Sequence, residues 1–404
     1  MTDAAHGAQG PSPDPPAVSI RDLAFTLFMI GLTSYGGPAI VAQIRRVTVM
    51  KKGWLTEGEF EESLAFCQTL PGPIAVQTAA HVAWRLRGPL GALVATAAYV
   101  LPAFLLMVGL SAAYMHLGQV PSVVAILRGL RAVVVAIVAD SILSMAKPAL
   151  KDGRGVLLGV AAAAALILHT GALLVLLGSA LLAIPLLWGT APPGPLQTQG
   201  PAVKTSGTWK GAAAIVLVAL IFAGVVVLSG LENPVLPAVA VTMAKVDMLA
   251  FGGGYTAVAL MHDLVVTANP WLTNQEFLDG LALGQITPGP VILTATFIGY
   301  KVAGPAGALT ATAAVFLPSW LLLVLLAPQF ARIRGLVLVH RMVRGLLAAF
   351  VAMLAYVLWQ VSLDALTDRR SLFLAVAALV PLRLKVAPLW VVAGGVLLSV
   401  LLFR

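Results

Sequence analysis

The chain has 404 residues, of which 60% are hydrophobic and only 10% charged, whereas an ordinary soluble domain carries about 25% charged residues. Mean hydropathy is +0.97, and 25 Lys and Arg against 16 Asp and Glu leave a net charge of +9. This excludes a soluble enzyme, a nucleic-acid-binding protein and a disulfide scaffold, and describes an all-α polytopic membrane protein.

Residues 1–20 contain Pro11, Pro13, Pro15 and Pro16, lack the apolar core of a signal peptide and read as a disordered tail. Apolar runs follow at about 23–44, 63–83, 88–118, 121–145, 155–169, 170–189, 211–230, 236–262, 277–300, 304–331, 335–361, 371–383 and 386–403. Some of these are expected to turn back rather than cross, giving roughly 9–13 membrane segments. Between them, 190–210 is rich in Pro, Gly and polar residues and reads as a linker. Cys67 is the lone cysteine; it forms no intrachain disulfide and is expected to be buried.

The sequence is duplicated. Gln68 and Pro71-Gly72-Pro73 recur 217 residues later as Gln285 and Pro288-Gly289-Pro290. At the same offset, Trp54-Leu55-Thr56 with Glu59-Phe60 matches Trp271-Leu272-Thr273 with Glu276-Phe277. At an offset of 216, Gly88-Pro89 and Gly91-Ala92-Leu93 match Gly304-Pro305 and Gly307-Ala308-Leu309, while Tyr35-Gly36-Gly37 meets Phe251-Gly252-Gly253 and Arg128-Gly129-Leu130 meets Arg344-Gly345-Leu346. The expected organisation is a tail over 1–20, a first repeat over 21–189, a linker over 190–210, a connecting membrane helix over 211–230 and a second repeat over 236–403.

Charge predicts opposite orientations for the halves. Loop 45–62 carries Arg45, Arg46, Lys51 and Lys52, and its counterpart 263–276 has no Lys or Arg. Loop 115–120 has none, and its counterpart holds Arg332 and Arg334. A basic bias that swaps sides is what an inverted repeat predicts. Both flanks of 63–83 are basic, so its Pro-Gly-Pro reads as the tip of a re-entrant hairpin, and Gly36-Gly37-Pro38 offers the same for 23–44.

Within hydrocarbon, a helix is interrupted only where protein or a water-filled cavity surrounds the break. Pro71 and Pro73 lack an N–H and Gly72 favours a break between them; Pro288, Gly289 and Pro290 repeat the device. A helix restarting after Pro73 or Pro290 presents free N–H groups and its positive dipole end to the membrane interior, as an anion requires. A simple proline kink is the alternative. Gln68, Thr69, Gln77 and Thr78 in one half, and Gln285, Thr287, Thr294 and Thr296 in the other, suit a tetrahedral oxyanion or interhelical hydrogen bonds. Gly36-Gly37 and Gly252-Gly253 either line the site or allow close packing.

Arg128 and Arg344 lie about two turns inside their segments. They offer either an intramembrane charge for a divalent oxyanion or a structural ion pair. Lys245 and Asp247 have no charged counterparts, since Met29 and Gly31 stand at the aligned positions. They are candidates, with Asp140, for a coupling-ion or proton site. Neither a metal-ligand spacing nor a nucleotide-binding motif is present, and no cofactor is expected.

The duplicated set of Gly-Gly, Trp-Leu-Thr-x-x-Glu-Phe, Gln-x-x-Pro-Gly-Pro and Gly-Pro-x-Gly-Ala-Leu resembles the chromate ion transporter family in its long, two-domain bacterial form, over residues 21–403. The resemblance implies export of chromate across the inner membrane, hence chromate resistance. Its signature residues fall on Gly36, Gly37, Gln68, Pro71, Gly72, Pro73 and Arg128, and on Gly252, Gly253, Gln285, Pro288, Gly289, Pro290 and Arg344. Gly254 stands where the first half has Pro38. Chromate, with sulfate as a competing dianion, is the implied partner beside the lipid bilayer, and a homodimer is a further candidate; no nucleic acid is expected. An oxyanion importer or exchanger and a passive anion channel remain alternatives to secondary active export.

Overall fold

The computed structural model describes residues 18–189, 208–329 and 337–403. The tail over 1–17, most of the 190–210 linker and the loop with Arg332 and Arg334 lie outside the described residues. The first repeat opens with α1 (Ile20–Thr33) and α2 (Gly37–Arg45), which runs on into a π-helical turn, Arg46–Lys51. Next come α3 (Glu57–Thr69) and α4 (Ile74–Leu117), then α5 (Pro121–Ala149), α6 (Gly153–Ile167) and α7 (Ala172–Leu186). α8 (Thr208–Glu232) connects the halves. Residues along it such as Leu217, Leu220, Val225 and Leu228 are exposed, as on a lipid-facing helix.

The second repeat follows the same order. It has α9 (Val235–Leu249), α10 (Gly254–His262) with a π-helical turn Asp263–Ala268, and α11 (Asn274–Ile286). A 3-10 turn, Val291–Leu293, leads into α12 (Thr294–Ala314), followed by α13 (Leu317–Leu326), α14 (Val337–Ala365), α15 (Arg369–Arg383) and α16 (Pro388–Leu402). Among the described residues, four apolar helical stretches are long enough to cross a bilayer: Ile74–Leu117, Pro121–Ala149, Val291–Gln329 and Val337–Ala365. The protein is a multi-pass, helical membrane protein of two homologous halves.

The repeated motifs are the places where helices start and stop. Thr56 caps α3 by accepting from the Glu59 N–H, and Glu59 reaches back to the Thr56 N–H; Thr273 and Glu276 build the same capping box on α11. Gly88 (φ +65°) and Gly304 (φ +61°) break α4 and α12 at corresponding positions, and Pro89 and Pro305 follow. These left-handed conformations favour glycine, which has no Cβ to clash.

The short helices pair as hairpins. α3 has 13 residues, about 20 Å at 1.5 Å per residue, well short of the ~30 Å hydrocarbon core. Arg85, near the end of the first piece of α4, meets Glu62 at 3.0 Å and Glu59 at 3.3 Å near the start of α3. Lys301 meets Glu276 at 2.8 Å at the corresponding ends of α12 and α11. Lys52, after α2, meets Asp22 on α1 at 2.9 Å. Each chain segment therefore returns to the side from which it came, with its break at the tip.

Two ion pairs establish the orientation of the halves. Arg128, near the start of α5, pairs with Asp368 just past the end of α14 at 2.7 Å. Arg344, near the start of α14, pairs with Asp152 just past the end of α5 at 2.9 Å. Both partners of the second pair lie 216 residues from those of the first. The equivalent helices α5 and α14 therefore run antiparallel, and the repeats are inverted. Glycine brings backbones close elsewhere: a Cβ on Gly31 would fall 2.1 Å from the Tyr99 carbonyl oxygen, and one on Gly345 would fall 2.4 Å from that of Ser179.

Candidate functional site

Breaking α1 at Ser34 and α9 at Ala250 leaves carbonyl groups without helical partners. The opposite half supplies the donors. The Gly289 N–H donates to the Ser34 carbonyl at 2.8 Å, and the Gly72 N–H donates to the Ala250 carbonyl at 2.8 Å. Ser34 and Ala250 are corresponding residues, as are Gly72 and Gly289, so one contact is made twice. Tyr35 and Gly289 also form a short parallel bridge. The glycines at these breaks adopt matching left-handed conformations: Gly72 φ +109° with Gly289 φ +113°, and Gly36 φ +78° with Gly252 φ +90°. Gly253, at φ +122°, extends the second break.

Four helix starts meet through these contacts. α2 begins at Gly37 beside the Tyr35–Gly289 bridge, and the 3-10 turn leading into α12 begins at Val291, two residues after Gly289. α4 begins at Ile74 beside the Gly72–Ala250 contact, and α10 begins at Gly254. Gly254 lies against Val291, where a Cβ would sit 3.7 Å from the Val291 side chain. Helix geometry leaves the first N–H groups of each helix, such as those of 74–76, without intrahelical partners. Pro71, Gly72, Pro73, Pro288, Gly289 and Pro290 are all buried. Four positive dipole ends thus stand together, those of α4 and α12 buried and that of α10 half-buried, an arrangement that favours an anion.

The polar side chains around the breaks differ between the halves. Gln68 is exposed and Thr69 half-buried, with its hydroxyl donating to the Phe66 carbonyl at 2.7 Å. Gln285 is buried, its Nε2 is unpartnered, and its side chain is met by Tyr255, which also reaches Ser141. Gln77 is buried and donates from Nε2 to the Pro71 carbonyl, leaving its Oε1 unpartnered. Thr287 donates to the Leu283 carbonyl at 2.6 Å, and Thr294 to that of Val291 at 2.9 Å. Thr78 donates to the Ile74 carbonyl at 2.7 Å, and Thr296 meets Thr312 at 2.8 Å.

The charged candidates stand on other partners. The Arg128 guanidinium lies between Asp368 and the ring of Phe403, and Arg344 lies on Asp152. The Arg344 hydrogen bond, helped by the Gly155 N–H, holds the Asp152 carboxyl below the usual carboxylate range. Asp140 pairs with Arg383 at 3.2 Å. Lys245 is exposed, whereas Asp247 is fully buried on another face of α9.

The family model described as Chromate transporter matches the chain twice, over residues 21–184 and 237–400. The chain belongs to the chromate transporter family. It is 30% identical to a chromate transport protein of Cupriavidus metallidurans over 96% of this chain and 94% of that one. An uncharacterized transporter of Methanocaldococcus jannaschii is 32% identical, covering 84% of this chain and 83% of that protein. A chromate transport protein of Pseudomonas aeruginosa is 31% identical over 76% and 72% of the two chains. No solved structure matches.

Seen in this chromate transporter family member, the two matched repeats are the two halves whose breaks cross. The sequence reasoning passed over Asp279. It is fully buried, bridges to Arg131 through Nε at 2.6 Å and Nη2 at 2.8 Å, and accepts from the Tyr114 hydroxyl at 3.0 Å. Its signal was a single carboxylate inside the apolar run 277–284 (FLDGLALG). Ser319, His81 and Tyr255 were missed as well; being neutral polar residues in apolar helices, they gave no repeat signal.

Proposed function

We propose that this protein is a secondary active transporter that exports chromate across the bacterial inner membrane and so confers chromate resistance. The observation that carries the reading is the meeting of four helix starts at the crossed breaks of two inverted halves. An anion there would be held by backbone N–H groups and dipole ends, each worth up to about 2 kcal/mol where partly buried. Broken helices at equivalent places in two inverted halves are where secondary transporters hold substrate, and rocking of one half against the other would expose it alternately. The names of the relatives from Cupriavidus metallidurans and Pseudomonas aeruginosa supply chromate as the substrate.

In this reading Gly36, Gly37, Pro71, Gly72 and Pro73, with Gly252, Gly253, Pro288, Gly289 and Pro290, shape the site. Gln77, Gln285, Thr287 and Thr294 stand beside it. Arg128 and Arg344 act as ties between the halves, since their charges are already met by Asp368 and Asp152. A site made of N–H groups reads shape and charge, so sulfate, also a tetrahedral dianion, competes.

Everted inner-membrane vesicles test the reading. Energised accumulation of labelled chromate, absent from control vesicles and reduced by excess sulfate, is expected. No accumulation in verified everted vesicles would overturn export. Flux that simply follows voltage, with no coupled ion, would make the protein a channel.

A further inference from the structure

The backbones of the two halves match closely at their breaks, and one difference between them is a buried charge. In the first half Gly31 lies flush against the Tyr99 carbonyl of an unbroken stretch of α4. In the second half the corresponding residue is Asp247, and the helix opposite is interrupted between α12 and α13, around Val315 and Phe316. Asp247 Oδ2 accepts the Ser319 N–H at 2.6 Å, capping the restarted helix. Its Oδ1 is buried and unpartnered. A helix cap needs one oxygen and no formal charge, since Ser, Thr or Asn serve as well. An acid with a spare oxygen, fully buried in a membrane protein, is therefore more than the cap requires.

Further unpartnered buried groups adjoin it. Gly72 packs against the Ser319 side chain and the Gln77 amide, where a Cβ would lie 2.6 Å from Ser319 Cβ and 2.9 Å from Gln77 Nε2. Gln77 Oε1 is unpartnered, as is His81 Nδ1 one turn further along α4. The His81 ring sits between Phe66 and Trp84, in the cluster that includes Trp320. One more turn leads to Arg85 and its carboxylates Glu59 and Glu62, at the open end of the hairpin. Gln77, His81 and Arg85 are spaced four apart and share one helix face. The second hairpin has apolar Phe297 or Ile298 where His81 stands in the first.

We propose that Asp247 is the proton-coupling site of the transport cycle, loaded along the Gln77–His81–Arg85 face of the first hairpin. The inference rests on the transport reading above. A proton suits the site better than a metal cation, because Asp247 meets the N–H and the side chain of the one residue Ser319, whereas sodium or calcium needs a shell of about six or more oxygens. Most titratable groups on the packed elements are engaged elsewhere; on α4 Tyr99 also has a buried, unpartnered hydroxyl, beyond the break at Gly88 and away from the Gln77–His81 turn. His262 meets Asn274, Lys301 meets Glu276, Tyr255 reaches Gln285, and Arg85 holds Glu59 and Glu62. α13 carries none, Glu232 and Lys245 are exposed, and Tyr300 is half-buried on α12. His81 is left as the titratable side chain with an unpartnered ring atom on the Gln77 face.

The test uses the full-length protein in liposomes with an internal pH dye and labelled sulfate or chromate. In the unaltered protein, substrate should elicit proton movement, and an imposed pH gradient should drive accumulation. Asp247→Asn should lower both at least tenfold while substrate counterflow at equal pH falls less than threefold. His81→Phe should slow proton movement more than counterflow. Unaltered protein that shows counterflow but no proton movement, or that follows a sodium gradient instead, overturns the proposal. Absence of counterflow in the unaltered protein sinks the transport reading itself. Should Asp247→Asn fail to insert, a hydrophobic carbodiimide applied to the unaltered protein decides. Labelling of Asp247 that slows as pH rises supports the site, and no labelling at any pH overturns it.

Discussion

Gly72 donates its N–H to the carbonyl of Ala250 in the other half, at 2.8 Å. With its twin from Gly289 to Ser34, this bond lets each half complete the broken helix of the other. Each repeat leaves one carbonyl of its broken helix for the other to satisfy, as irregular backbone within a membrane requires.

Alanine at Gly72 should be far more damaging than alanine at Gly36. Both have positive φ, which strains an L residue by about 1–3 kcal/mol. Only at Gly72 would the new Cβ also collide with Ser319, at 2.6 Å, whereas nothing lies within 4 Å of a Cβ at Gly36. We expect Gly72→Ala to lower the melting temperature of the solubilised protein and abolish transport, and Gly36→Ala to lower each partially. Equal effects would contradict the packing described.

Arg128→Gln and Arg344→Gln should each cost only about 0–1 kcal/mol, the range for exposed pairs. The Arg128 and Asp368 side chains are 46% and 33% exposed. Transport above half of the unaltered rate is expected for each variant. Loss of substrate affinity at normal protein levels would instead place an arginine on the anion.

Removing Asp279 is a different matter. Its carboxylate is fully buried and bidentate with Arg131, so Asp279→Ala leaves a guanidinium without its partner, at about 3–5 kcal/mol. Thermal unfolding of Asp279→Ala, Arg131→Met and the double variant checks this. The double variant should be more stable than the sum of the single losses.

The Asp152 and Asp368 carboxyls are both held below their usual range, Asp152 first by Arg344 and Asp368 first by the Ser371 N–H. Their contribution is complete above the unfolded value near about 3.9 and is lost as pH falls through the depressed folded values. Melting temperature should therefore drop on acidification in this window. The drop should be smaller in Asp152→Asn and Asp368→Asn.

Much of this was legible in the sequence because repetition exposes what the backbone demands. Gly72 and Gly289, Gly88 and Gly304, and the capping boxes of Thr56 and Thr273 are all duplicated, and each proves to be a helix end or a left-handed turn. Cys67 is buried, as its apolar setting required. Partners were not legible. Arg128 gave no hint of Asp368, 240 residues away, since nothing in one strand of sequence says which helix ends meet. The polar line through Ser319 and His81 was hidden for the opposite reason: apolar Ala103 and Phe297 stand at the equivalent positions of the other repeat, so a search for repeats passes over it.

The central claim is that an anion is held where the four helix starts meet. The most direct measurement is a cryo-EM map of the full-length protein with saturating chromate or sulfate. The account predicts density for a tetrahedral ion against the amides after Pro73 and Pro290, between the two crossed breaks. Density beside Arg128 or Arg344, with those amides unoccupied, would contradict it.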